Sequence, residues 1–328
     1  MVPIPQHNVD NLLVAIACLD VNTKPDPDSR AAAGGRATAM TQPATNETTL
    51  VEMAVAGSVT TPSVRPGQYI PWPDGRATVL PGMFGVTYNV RCGDRAFGWA
   101  GDHVEPGVSI DDDADSGRHH ALHYLTCIGN DAMVTSGMAE GARGIVIGEH
   151  ARILVQFDDD AHQLIAPGDR IQVMTQGRGF ELPDFPAVEF KKMSPRLYHS
   201  LGIVVEDGKL RVPVAMELPI RIMGSGAELN SEYVDQDLMS GDRGLMAELG
   251  IDRMKLGDLI GIRHADHHFG RSYREGAASI ALCIHGDSIM TGHGPGILTL
   301  MTATDGSIDF HVDPDANIAT RLNLEAAQ

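Results

Sequence analysis

Basic residues are scarce in this sequence: 25 Lys and Arg stand against 43 Asp and Glu, a formal net charge of -18. A field of that sign repels phosphate backbones and anionic lipid surfaces, so no nucleic acid and no membrane is expected among the partners. Cysteine is sparse as well. Cys18, Cys92, Cys127 and Cys283 are dispersed without a C-x-x-C spacing, which excludes a zinc knuckle and a disulfide framework and fits a reducing compartment, hence a cytoplasmic location. No apolar run reaches the roughly 20 residues that a membrane-spanning helix needs. Residues 12–18 are apolar, but no Lys or Arg precedes them and Asp10 does, so no signal peptide is expected.

Motifs for phosphate and dinucleotide chemistry are missing too. There is no P-loop, no dinucleotide fingerprint and no Gly-x-Ser-x-Gly elbow, since Gly224-Ser225-Gly226 lacks the required spacing. The β-α-β alternation of a doubly wound sheet is likewise absent. What remains is a chain of short β-type runs. Residues 49–55, 144–147 and 152–157 are the clearest, and two Asp-Gly pairs, Asp207-Gly208 and Asp305-Gly306, predict hairpins over 204–212 and 299–310. A Gly-Asp turn recurs at Gly93-Asp94, Gly168-Asp169 and Gly257-Asp258, the last two followed directly by apolar stretches, as suits small barrels or sandwiches. Helices are predicted at 119–132 and 242–249, with Gly250 as a C-cap. The fold class is therefore mainly β, with small barrel-like and layered-sandwich parts and few short helices. Residues 1–45 read as an extension and linker, rich in Pro, Gly and Ala over 22–45. Then follow an N-terminal β domain over 46–190, a C-terminal β-rich domain over 191–315 and a tail over 316–328.

Three polar segments could carry chemistry. In the first, Asp102-His103-Val104-Glu105, an extended chain would project His103 and Glu105 to one face, a spacing suited to a metal ligand pair or to proton transfer. The second, running from His264 through Asp266, His267 and His268 to Arg271 and Arg274, follows an apolar strand and combines imidazoles, a carboxylate and guanidinium groups. The third contains His285, Asp287, Ser288 and His293, with Gly292, Gly294 and Gly296 permitting close backbone approach. Taken alone, the first and third segments read somewhat better as ordinary polar turns. His119, His120 and His123 read as a surface helix with no nearby carboxylate, and Cys127 as a buried thiol rather than a nucleophile.

These segments resemble a bacterial and archaeal family known as a domain of unknown function, DUF4438. The resemblance runs over 46–302 and rests on 102–109, Cys127-Ile128-Gly129-Asn130, 222–226, Asp266-His267 with Gly270-Arg271, and Asp287-Ser288 with 292–296. It implies a mainly β fold in two domains and no established reaction. His264 and Phe269 stand where the family pattern has an acidic residue and a Tyr.

The expected function is that of an enzyme, a hydrolase or lyase acting on a small polar metabolite by metal-assisted attack on an amide or lactone. His103, Glu105, Asp266 and His267 are the expected ligands of a divalent ion (Zn, Mn or Mg). His285, Asp287, His293 and Asp102 are the expected catalytic residues, with His285 or His293 carrying protons. Arg271, Ser288, Gly292, Gly294 and Gly296 are expected to bind substrate. The alternatives are a non-catalytic protein that captures a small anion and a structural, oligomer-forming protein. A homo-oligomer is compatible with all three.

Overall fold

The computed structural model describes residues 42–62, 70–71, 74, 77–112, 115–224 and 235–324. Its strands up to residue 180 are β1 (Met53–Val59), β2 (Ile70–Pro71), β3 (Ala77–Thr78), β4 (Val86–Thr87), β5 (Gly107–Asp111), β6 (Asp131–Val134), β7 (Arg143–Glu149), β8 (Ile153–Phe157) and β9 (Arg170–Thr175). Six of them form a closed antiparallel barrel in the order β1, β9, β6, β7, β8, β5, sealed by Ser58 and Val59 of β1 pairing with Asp111 and Ile110 of β5. Closure leaves no unpaired edge to satisfy, which is how short strands make a stable sheet.

The remaining strands are β10 (Glu189–Phe190), β11 (Val204–Glu206), β12 (Lys209–Val214), β13 (Met216–Leu218), β14 (Asp235–Asp237), β15 (Leu259–Asp266), β16 (Ser272–His285), β17 (Gly296–Ala303) and β18 (Ile308–Val312). A second sheet runs β10, β17, β16, β15, β13, with β14 also paired to β17, and β11, β12 and β18 form a smaller sheet. From Ala277 onward the long β16 is buried on both faces. Ile280, Leu282 and Ile284 join Val146 and Leu154 in one buried cluster, while Ala281 and Cys283 join Ile260, Ile262 and Ile297 in another. A strand covered on both sides reads as a continuous apolar run, as residues 280–284 do.

The recurring Gly-Asp pair has one physical basis. In each copy the Asp amide bonds to the carbonyl three residues back (Arg91, Ala166 and Lys255), and its carboxylate accepts that residue's own amide at 2.7, 2.9 and 2.7 Å. Gly93, Gly168 and Gly257 supply φ of 101, 93 and 86°, the conformation that the third position of such a turn demands.

Two sequence expectations are corrected. The Asp207-Gly208 hairpin forms, with Glu206 opposite Lys209. The one expected over 299–310 does not. β18 leaves β17 and runs parallel to β12, where Phe310 and Ile308 reach the buried cluster. The helix expected at 119–132 is α1 (Ser116–Leu125), begun by the Asp115 cap, and residues 131–134 are the barrel strand β6. The helix expected at 242–249 is, after the short α2 (Asp159–Leu164) and α3 (Pro195–Ser200), α4 (Arg243–Glu248), capped by Asp242 and followed by Gly250 at φ 71°. Among the described residues no helix is long and apolar enough to cross a membrane. Ser225 and Gly226, which follow Gly224 in the sequence, and the extension up to residue 41 lie outside the described residues.

Candidate metal centre

Asp237, His285 and Gly296 lie side by side across three strands. Gly296 of β17 is the register partner of Asp237 on β14 and of His285 on β16. Side chains two strands apart normally stand too far from each other to touch. Here the missing Cβ lets both lean over the central strand, so that His285 Nε2 comes to 3.1 Å from Asp237 Oδ1. A Cβ on Gly296 would lie 2.0 Å from His285 Nε2.

The barrel supplies the facing groups. His103 precedes β5 with φ 50°, a left-handed conformation costly for a residue with a side chain. Its Nδ1 meets Asp102 Oδ2 at 3.1 Å, and its Nε2 lies 3.3 Å from both Asp237 Oδ2 and His293 Nδ1. His293 Nδ1 and Asp237 Oδ2 are in direct contact. His150, in the β7–β8 turn, lies tilted against His285 with ring centroids 4.0 Å apart, and its Nδ1 is held by Glu105 Oε1 at 2.9 Å. Phe84 at φ 67° and Ala151 at φ 54° add further strained backbone beside Glu105 and His150. Such strain gathers where surrounding structure fixes a functional geometry.

Two carboxylates orient two of the imidazoles. Asp102 Oδ1 accepts from Ser288 Oγ and the Ile289 amide, and Glu105 Oε2 accepts from Ser109 Oγ and the Phe84 amide. With their other oxygens they hold His103 and His150 at Nδ1, leaving each Nε2 aimed inward, the arrangement that carboxylates impose on metal-binding histidines. His285 is fixed differently. Its Nδ1 lies 2.8 Å from the Gly286 carbonyl, which only accepts, so Nδ1 carries the proton and Nε2 presents a lone pair to Asp237. Burial, and then the nearby His150, pull the His285 pKa down to about 4. Burial would raise Asp237, but the hydrogen bond from His103 holds it well below the usual carboxylate range. Two lone pairs thus face each other at 3.1 Å. A cation between them would resolve the conflict.

Two of the spacings around His103 fit one. Ligand atoms bound tetrahedrally at about 2.0–2.1 Å stand about 3.3 Å apart, the separation of His103 Nε2 from Asp237 Oδ2 and from His293 Nδ1. Without an ion, His103 is pushed up to about 9: burial opposes the charge, but Asp102 and Asp237 outweigh it. Asp235, beside Asp237 on β14, has a carboxyl raised to about 7, chiefly by burial.

Of the expected site residues, His103, His285 and His293 meet here, with Asp102, Glu105 and Ser288 directly behind them. Asp287 points elsewhere, accepting from Ser240 and pairing with Arg243. Gly294 packs against the Leu238 carbonyl, Gly292 turns at φ 81°, and Gly296 makes room for His285. Asp266 accepts from the side chain and amide of its neighbour His268. His267 is buried against Thr299 and Gln236, the residue whose side chain leaves β14 on the face opposite Asp235 and Asp237. Arg271 is exposed in the β15–β16 connection. The second polar segment therefore does not converge with the first and third. Asp235, Asp237 and His150 escaped the sequence reading. Their one local signal is Asp235-Gln236-Asp237, two carboxylates at strand spacing.

A separate cluster sits on α1. His123 is buried between Asp111 and Glu149, and His119 Nδ1 lies 2.8 Å from Asp111. The helix is thus not the plain surface helix expected, because β5 and β7 bring carboxylates to it. Those carboxylates are already matched by Arg152 at 2.9 Å and Lys192 at 2.6 Å. An ion there would repeat a charge balance the protein has made. Cys92, Cys127 and Cys283 are buried and unbridged, and burial raises the Cys92 and Cys283 thiols well above their usual range.

The fold and site together define a barrel-containing β protein with a buried His/Asp centre. Residues 69–199 match the N-terminal, and 200–322 the C-terminal, domain of unknown function DUF4438, and the chain belongs to that family. It is also similar to the crystal structure of TM1086, at 37% identity and a TM-score of 0.79, over 84% of this chain and 98% of that one. No curated protein matches the chain.

Proposed function

We propose that this protein is a metal-dependent hydrolase of a small polar metabolite, opening an amide or lactone. The observation that supports it is the set of ligand atoms of His103, His285, His293 and Asp237 facing one another at coordination spacing. Its imidazole content ranks zinc first and manganese second, and disfavours magnesium, which prefers oxygen. A divalent ion held there would supply Lewis acidity toward a carbonyl oxygen. The chain's own groups do the rest. Asp102 and Glu105 lock the rings of His103 and His150, and the quarter-exposed His293 marks the side from which substrate arrives. His285, expected as a proton carrier, is better suited to be a ligand, since both its nitrogens are committed. The buried, unbridged thiols suit a reducing compartment, and we place the protein in the cytoplasm.

The test is elemental analysis of the purified chain, followed by a screen of cyclic amides and lactones with and without Zn²⁺ or Mn²⁺. At least one ion per chain is expected, with turnover lost on chelation, restored by the ion, and absent in Asp237→Asn. A chain that binds no divalent ion even after metal is supplied would sink the proposal.

A further inference from the structure

We infer that the centre holds two ions bridged by the Asp237 carboxylate, an inference that deepens the proposed function and rests on it. The first trio is His103, Asp237 and His293; a second, His150, Asp235 and His285, also brings its ligand atoms within 4.8 Å of one another. Asp237 faces both. Its Oδ2 is turned to His103 and His293, its Oδ1 to His285. One carboxylate whose two oxygens address two ligand sets is the geometry of a bridge between two ions, and two-ion centres are common among hydrolytic sites.

The second trio is built as a ligand set in its own right. Asp235 and Asp237 are alternate residues of β14 and project to the same side. The Nδ1 atoms of His150 and His285 are occupied by Glu105 and the Gly286 carbonyl, so their Nε2 atoms remain for coordination. The buried Oδ1 of Asp235 has no hydrogen-bond partner, although a buried oxygen of this kind almost always finds one.

Charge points to the same number. Asp102, Glu105, Asp235 and Asp237 bring four carboxylates into this one region, and among the described residues no Lys or Arg pairs with any of them. The cluster on α1 makes the contrast, since Arg152 and Lys192 answer its two carboxylates. Of the described groups that can carry positive charge, only imidazoles face these carboxylates, and an imidazole that binds an ion gives up its positive charge, so the buried carboxylates then need the ions themselves as their match. With neutral imidazoles as ligands, two divalent ions balance four carboxylates.

The experiment strips the full-length chain of metal, titrates it with Mn²⁺ alone, and counts bound ions after desalting, with electron paramagnetic resonance as an independent readout. Two ions per chain and a spin-coupled Mn²⁺ pair signal are expected. Asp235→Asn and His150→Gln should each weaken one of the two sites by 100-fold or more and replace the coupled signal with that of an isolated ion, with an unchanged circular dichroism spectrum. A wild-type chain that takes up one ion with an uncoupled signal overturns the two-ion centre and leaves the hydrolase proposal standing; a chain that takes up none overturns both. The wild-type count decides the matter even if the variants fold poorly.

Discussion

A single hydrogen atom in place of a side chain lets the centre form. Gly296 lies between Asp237 and His285 in register, and only its bare Cα leaves space for the imidazole. Gly296→Ala would set a methyl 2.0 Å from His285 Nε2, the atom that faces Asp237. The ring must move, at a cost of about 1–3 kcal/mol for overpacking. The expected outcome is a lower urea midpoint together with weaker metal binding; an unchanged midpoint and metal content would refute the steric role. At this scale the sequence was partly readable. Asp102, His103, Glu105, His285 and His293 stood out because ligand types were dense around them. Asp237 did not, since a short Asp-Gln-Asp strand looks like any polar edge.

Turns are the elements on which sequence reasoning worked best, because their chemistry is local. The three Gly-Asp turns share one closure that sets the glycine conformation, and at Gly257 the core adds a second demand, since a Cβ would lie 2.3 Å from Cys92 Sγ. Gly168 has no atom within 4 Å of where a Cβ would stand, at φ +93°. Gly168→Ala should therefore cost about 1 kcal/mol from backbone conformation alone, read as a small fall in urea midpoint with metal content unchanged. A loss above roughly 3 kcal/mol would mean that the turn packs more tightly than the structure shows. The Asp305-Gly306 pair shows where locality ends. Its turn chemistry is sound, yet the strand that follows pairs with β12, because sheet partners are chosen by burial far along the chain.

Across the whole molecule, acid stability depends on imidazoles kept neutral by burial. His162 is fully buried, and Arg91, which can only donate, lies 3.3 Å from its Nε2. Burial first, and the Arg91 charge second, lower its pKa from 6.5 to about 4. Between these values the unfolded chain binds more protons than the folded one, so this contribution is whole above about pH 6.5 and declines as pH falls toward 4. His162→Gln should consequently lose less Tm than the parent between pH 7 and pH 4.5; an equal loss would remove His162 from the account. The sequence alone determined the β class, the turn types and a surplus of His and Asp, since these follow from composition and short-range pattern. Only the tertiary structure decided which of them meet. β14 and β16 flank β17, His103 and His150 arrive from the barrel, and Asp266 and His267 stay apart. The reason is physical: strand order and register depend on burial between segments far apart in the chain, and a one-residue shift would turn Asp237 away from the imidazoles.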